Sequence, residues 1–386
     1  MFRAGIYIGW VGFLNLGDEA MYQLCRKRYP SIRWTLSSTL AYSPRTGQFA
    51  RRGNGALRQI LESVWEELHD QRRLRALATQ TLHRLARRSG GEVGICGGGT
   101  YLNRSAEALR TYTEIRKRTG SPVPTFGTGV VHPEFWLSRE TGWIDLRKEW
   151  VDVLAELPVA GVRGPLSKAL LDEAGARNVV ICGDPAVAFH AAYANQNVAV
   201  RRARPLRVGL NPGTCSGHLW GREEDVLESL AGLARWLRRA GHQIEIIPVW
   251  PKDVASSVDV ARRAELNKSA ITPICCSHEA FLSRMENLDL MVSMKLHAGI
   301  LAAAANVPFV SLEYRPKCRD FGASLGWEEF LIRTDRLQQD SLIERVLLLM
   351  GQLEAKKREL CQKMCRLMNT FDDYCCKIEP LLLDSG

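Results

Sequence analysis

Short apolar runs of strand length recur along the chain, several of them ending in glycine. Residues 5–10, 93–96, 124–129, 159–162 and 178–183 form a first series. Longer stretches with apolar positions at helical spacing lie between them, such as residues 143–157 and 166–174. This alternation predicts an α/β domain built on a mainly parallel sheet. The pattern lapses over residues 191–205, which turn polar and then basic, and a linker is expected there. A second series follows at 206–211, 243–249, 288–293 and 308–312, again with helical segments between. The tail, 341–382, reads as one or two helices of mixed charge. A length of 386 residues also favours two domains. The expected architecture is α/β, with two Rossmann-like domains, 1–200 and 201–386, facing a central cleft. Ligands are expected beyond the carboxyl ends of the strands.

Composition changes this picture little. Hydrophobic residues make up 46% and charged residues 24%, as in ordinary globular proteins. A formal net charge of +10 favours anionic partners such as phosphorylated small molecules, acidic glycans, nucleic acid or anionic lipid, without choosing among them. The eleven cysteines include the adjacent pairs Cys275-Cys276 and Cys375-Cys376 and singles such as Cys25, Cys96 and Cys182. No CxxC occurs, and no Cys/His grouping has the spacing of structural zinc, so idle or buried thiols in a reducing compartment are expected. The N-terminus lacks a cationic stretch followed by an apolar one, so a secretory signal is not expected. The longest apolar stretch, 298–312, is broken by Asn306 and Pro308 and is too short to span a bilayer.

Residues 51–88 stand apart. Leu57, Ile60, Leu61, Val64 and Leu68 repeat at helical spacing, and Arg72, Arg73, Arg75, Arg84, Arg87 and Arg88 follow. An amphipathic helix pair with a solvated basic face is the preferred reading. Peripheral contact with an anionic membrane or an acidic glycan is the other.

Several strand ends carry candidate chemistry. The first leads into a glycine-rich turn, 9–21, in which Asn15, Asp18 and Glu19 open a helix. Bare backbone N–H groups there suit a ligand, although acidic residues at a helix start also serve as caps. The spacing is neither GxGxxG nor that of a P-loop. Gly97-Gly98-Gly99 follows a second strand, where missing side chains permit close approach of backbone or ligand. Arg163 sits between a strand and the helix opened by Pro165, a place suited to bidentate contact with phosphate or carboxylate. Lys295 and His297 close an apolar strand and open an alanine-rich helix, where a histidine can exchange protons near neutral pH. Arg315, Lys317 and Arg319 crowd the next strand end, fitting a small, highly charged anion. Gly322-Ala-Ser-Leu-Gly326 matches a nucleophile elbow, but polar residues precede it where a buried strand is required. Asp372-Asp373 resembles no metal site.

Together these pieces resemble the polysaccharide pyruvyltransferase family over roughly residues 5–330. The resemblance rests on Asn15-Leu-Gly-Asp-Glu19, Gly97-Gly-Gly99, Arg163 with Ser167, Gly183-Asp-Pro185, Leu296-His-Ala298 and the Tyr314-x-Pro-Lys317 loop. Two positions depart from the family pattern. Lys295 stands where the family often has arginine, and Arg315 where it often has an acid. Both keep or add positive charge.

The resemblance implies a GT-B-like fold, phosphoenolpyruvate as donor, and a saccharide acceptor, free or lipid-linked, that becomes a pyruvate ketal. It implies cytoplasmic work on a cell-wall or exopolysaccharide precursor, at the inner face of the membrane if the acceptor is lipid-linked. No metal or organic cofactor is implied. The N-terminal domain is expected to hold the acceptor and the C-terminal domain the donor. His297 and Asp18 are the catalytic candidates. Arg163, Lys295, Lys317, Arg319, Asn15, Glu19, Gly98 and Gly99 are the substrate-binding candidates.

Two other readings share the architecture. A nucleotide-sugar glycosyltransferase commonly holds its donor ribose with an acid in the helix after the last core turns, but residues 298–306 contain none. A non-catalytic glycan-binding relative is the other. Nucleic acid is not an expected partner, since Arg72 to Arg88 includes no aromatic residue for base stacking. Homo-oligomerisation is left open.

Overall fold

The computed structural model describes residues 3–9, 11, 15–37, 92–139, 142–192, 205–274 and 277–383. The 51–88 segment and most of the expected linker lie outside the described residues.

The N-terminal half forms a parallel sheet of order β2-β1-β3-β5, from β1 (Arg3–Ile8), β2 (Ile32–Leu36), β3 (Glu92–Gly97) and β5 (Thr125–Phe126). Two short parallel pairs extend it: β4 (Thr100–Leu102) with β6 (Gly129–Val130), and β7 (Ala160–Val162) with β8 (Val179–Ile181). Its helices are α1 (Leu16–Arg28), α2 (Ala106–Thr119), α3 (Pro133–Leu137), α4 (Arg147–Leu154) and α5 (Pro165–Glu173).

The C-terminal half is a five-stranded parallel sheet of order β10-β9-β11-β12-β13, from β9 (Arg207–Asn211), β10 (Gln243–Ile246), β11 (Leu290–Ser293), β12 (Phe309–Glu313) and β13 (Leu331–Arg333). Its helices are α6 (Glu223–Arg239), α7 (Asp253–Arg263), α8 (His278–Met285), α9 (Leu296–Ala304), α10 (Pro316–Leu325) and α11 (Gln339–Gly351). The long α12 (Leu353–Leu383) follows.

Each expected strand has its counterpart in the structure. β2, β4, β6 and β13 are additional. The segment expected to be helical over 143–157 is helical only over Arg147–Leu154. The tail is two helices.

In each sheet the first strand is flanked by its second and third, so the strand order reverses there. These reversals lie between β1 and β3 and between β9 and β11, and leave a crevice at the carboxyl ends. The sequence places Asn15 and Gly97–Gly99 at the first crevice and Lys295 and His297 at the second. The two crevices meet. Leu16 N–H donates to Val249 O across the domain boundary at 3.2 Å. A Cβ on Gly17 would fall 1.9 Å from Cγ and Nδ1 of His297, so the α1 backbone rests directly on that ring.

The terminal helix α12 crosses back onto the first domain. The buried Tyr374 hydroxyl accepts from Gly161 N–H at 2.9 Å and donates to Thr125 O at 2.7 Å, joining β7 to β5. Arg28 pairs with Asp372 at 2.8 Å, and Phe371 packs edge-on against Phe126. Among the described residues, no helix is long and apolar enough to cross a membrane.

Candidate active site

α1 begins at the cleft. Asn15 caps it, accepting from Gly17 N–H at 3.4 Å. The Leu16 and Gly17 amides are taken by Val249 O and Asn15, but the helix dipole still points its positive end at the cleft, and Asp18 and Glu19 lie within that turn. Asp18 is buried. Burial raises its carboxyl above the ordinary value, while His297, Lys317 and Arg163 pull it back. Gly98 and Gly99 have φ of 76° and 59°, which a side chain would strain. This left-handed turn brings the backbone to within about van der Waals distance of Asp18, since a Cβ on Gly99 would meet Asp18 Oδ1 at 3.4 Å.

Arg163 leaves the end of β7 and is fully buried. Its Nε donates to Asp184 Oδ2 at 2.8 Å, its Nη1 to Thr100 Oγ1 at 3.4 Å, and its Nη2 to Gly99 O. The guanidinium therefore clamps the glycine turn to the end of β8. Asp184 is also fully buried and accepts from Ala186 N–H at 3.0 Å. Burial alone would raise its carboxyl, but Arg163 and His297 hold it down at about 2.

His297 comes from the other domain, in the first turn of α9. Its Nε2 lies 3.6 Å from Asp184 Oδ2 and makes no hydrogen bond, although the ring is buried. Asp184 Oδ2 thus faces Arg163 and His297 together. A buried imidazole nitrogen without a partner is costly unless something binds there. It is the group most open to a ligand's proton chemistry.

Lys317 enters from the start of α10. Burial lowers its ammonium to about 7, Arg315 and Arg163 add to the effect, and Cys318 and Asp18 oppose it. Its Nζ lies 5.0 Å above the Tyr314 ring. It shares a narrow interdomain recess with Thr100, His132, Ser167 and Asp320. Asp320 crosses the boundary to cap α5, accepting from Leu166 N–H at 2.9 Å and from the Ser167 hydroxyl at 2.6 Å.

The structure therefore brings Asp18, Arg163, Lys317, His297 and the Gly98-Gly99 turn together, with Asn15 and Glu19 at the adjoining helix start. Arg163, an expected binder, is thus buried and engaged within the protein, and two more have other engagements. Lys295 Nζ donates to Thr214 O, lies 3.5 Å from the buried Asp253 and sits over Trp250. Arg319 lies 3.6 Å from both Glu134 and Glu313, farther along the cleft. There it borders a recess of about 430 Å³ lined also by Arg333, Arg336 and Arg345. Glu313, at the end of β12, is pushed up to about 7 by burial against the pull of Arg319 and Arg333.

Sequence reasoning gave no role to Asp184, although the Gly183-Asp-Pro185 turn was noticed. It also missed Arg104, which follows the glycine turn. Its guanidinium, lowered by burial, is close enough to interact with Asp18 and Arg315. Arg104, Arg163 and Lys317 thus face Asp18, Arg163 also holds Asp184, and Arg315 stands close to Arg104 and Lys317.

A family model described as polysaccharide pyruvyl transferase matches residues 56–316, more than half of the chain. The chain belongs to the polysaccharide pyruvyl transferase family. The matched span contains Gly98, Gly99, Arg163, Asp184, Lys295 and His297. Asp18 and Lys317 lie outside it and reach the site through the fold. No curated protein sequence matches this pyruvyl transferase family member.

Solved structures with the same fold include a putative UDP-N-acetylglucosamine 2-epimerase from Listeria monocytogenes, 11% identical with a TM-score of 0.54, covering 100% of this chain and 98% of that one. A trehalose-phosphate synthase from Burkholderia vietnamiensis is 12% identical with a TM-score of 0.51, covering 98% and 100%. The UDP-GlcNAc 2-epimerase from Neisseria meningitidis is 8% identical with a TM-score of 0.52, covering 98% and 100%. At these identities the likeness concerns the fold, which is GT-B.

Proposed function

We propose that this pyruvyl transferase family member moves the pyruvyl group of phosphoenolpyruvate onto a pair of hydroxyls of one sugar in a cell-surface or exopolysaccharide precursor, forming a ketal. The observation that carries the reading is the buried His297 Nε2, which faces Asp184 at 3.6 Å without a hydrogen bond, among cations at the domain seam. Phosphoenolpyruvate presents a phosphate and a carboxylate on one small frame, and such a ligand suits confined cations and a helix N-terminus. Arg104, Arg315 and Lys317 supply the charge, and Arg163 holds the glycine turn in shape.

The reaction balances without a further reactant. A proton added to the methylene carbon makes it a methyl group and leaves an oxocarbenium-like centre at the neighbouring carbon. A sugar hydroxyl attacks that centre and gives up its proton. The carbon–oxygen bond to phosphate then breaks, and the second hydroxyl closes the ketal as its proton goes to solvent or phosphate. His297 is assigned the proton transfer to carbon, and Asp18 the orientation or deprotonation of the acceptor.

The test is phosphate release from phosphoenolpyruvate with a panel of free, nucleotide-linked and lipid-linked sugars, with mass spectrometry of the products. Acceptor-dependent phosphate and a product heavier by a pyruvyl group are expected. No release and no binding of phosphoenolpyruvate, with calorimetric binding of a UDP-sugar instead, would overturn the donor.

Lys317 gives this reading a pH signature. Its ammonium is charged below about 7 and loses its charge above. A trianionic donor therefore meets one cation fewer as pH rises, and kcat/KM should fall up to about tenfold per unit on the alkaline side. Lys317→Arg keeps the charge and is expected to flatten that limb. A limb unchanged in the variant would assign it to another group, Glu313 being the nearest candidate.

A further inference from the structure

The fold brings a histidine beside two cysteines that are far from it in sequence. His190 Nε2 lies 3.4 Å from Cys365 Sγ and 3.8 Å from Cys361 Sγ, across separations of 175 and 171 residues. The three ligand atoms all lie within 4.8 Å of one another. We propose that His190, Cys361 and Cys365 form a binding site for a thiophilic metal ion, Zn²⁺ in the first instance, with a fourth position open to solvent.

The nitrogen–sulfur distances fit a tetrahedral ion. Around tetrahedral zinc, bonds of about 2.3 Å to sulfur and 2.0–2.1 Å to nitrogen put N and S about 3.6 Å apart. The two observed separations bracket that value. Cys361 and Cys365 are four apart on α12 and so share one helix face. The histidine is already in the tautomer that a metal requires. Its Nδ1 lies 2.9 Å from Ala304 O, a carbonyl that can only accept, so the proton is on Nδ1 and the Nε2 lone pair faces the thiols. A cation bound to two thiolates and a neutral imidazole leaves a neutral cluster.

The setting is also that of a ligand site. His190 is fully buried, whereas both cysteines keep some exposure and open the site to solvent. The Asn306 side chain hydrogen-bonds the Cys361 thiol. Ala304 ends α9, whose first turn carries His297, and His190 lies on the short 3₁₀ segment Pro185–Ala192, which follows Asp184. A metal here would pin α12 to both segments that bear the buried His297–Asp184 pair. It would act as a staple, with no part in the proton chemistry.

Cobalt is the probe. Titrating the reduced full-length protein with Co²⁺ alone is expected to give, at one equivalent, a thiolate-to-cobalt band in the near ultraviolet and intense visible bands of tetrahedral coordination. Added Zn²⁺ should displace them. Cys365→Ser and Cys361→Ser should each weaken binding on the order of 100-fold or more, since losing a supporting group beyond the ligands already costs 10–100-fold. Cys376→Ser, at an exposed cysteine on the same helix, should leave binding unchanged. Circular dichroism separates loss of the site from loss of the fold. No thiolate band in the reduced wild-type protein, or bands that survive both serine variants, would overturn the proposal.

Discussion

Replacing His297 with alanine is expected to slow turnover by about 10²-fold or more, the usual range for removing a side chain that moves a proton in the transition state. The expectation follows from an asymmetry around the ring. One edge lies against the bare backbone of Gly17, and the other faces Asp184 across 3.6 Å without a hydrogen bond. The first contact positions the imidazole and the second leaves Nε2 for a reacting group. The loss should therefore fall on kcat, with the KM for phosphoenolpyruvate changed much less, because the cations that bind it remain. His297→Gln keeps a polar side chain but cannot shuttle protons, and should be nearly as slow. The measurement is acceptor-dependent phosphate release under saturating donor, with thermal denaturation as the control for folding. A rate near wild type would remove His297 from proton transfer. A rise in KM alone would recast it as a binding group.

The strands and the α/β fold class were legible because apolar runs of fixed length alternate with helical spacing, and the parallel sheets bury both faces. What was missed was short or local. β2 alternates Ile32, Trp34 and Leu36 with polar residues, the pattern of a half-buried strand rather than the continuous apolar run that marks the others, and β13 is three residues long, too little for periodicity to register. The partial loss of the 143–157 helix has a local cause. Asn103, at a φ of 61°, donates to Asp145 at 3.1 Å and accepts from Leu146 N–H at 2.7 Å, and this ties down the segment before Arg147.

The site was legible at strand ends, where Asp18, Arg163, Lys317 and His297 all converge. Pairing was not. Nothing in the spacing tells that Lys295 faces Asp253, or that Arg163 spends its guanidinium on Asp184 and the glycine turn. Such partners are set by which crevice faces which. The His190–Cys361–Cys365 group was invisible for the same reason, since His190 stands 171 residues before the nearer cysteine.

The Arg163–Asp184 pair governs how much of that site exists at all. Both side chains have no solvent exposure, so removing one partner leaves an unpaired charge in a low-dielectric interior. Asp184→Ala is accordingly expected to destabilise the protein by about 3–5 kcal/mol. For a domain of this size that is a fall in Tm of very roughly 6–20 °C. The double variant Asp184→Ala/Arg163→Met removes both charges and should recover much of the loss in stability. It should not recover activity, because the clamp on Gly99 and the group facing His297 go with it. Acid should reproduce part of the effect in the wild-type protein. The Asp184 carboxyl is depressed to about 2, so its contribution is present above the ordinary carboxylate value near 4 and is lost as pH falls through about 2. The displacement corresponds to roughly 2–3 kcal/mol. Denaturant midpoints measured between pH 5 and pH 2 should therefore fall more steeply for wild type than for the double variant. Parallel curves for the two proteins would show that Asp184 is not held ionised by its neighbours, and would weaken its assignment as the fixed charge behind His297.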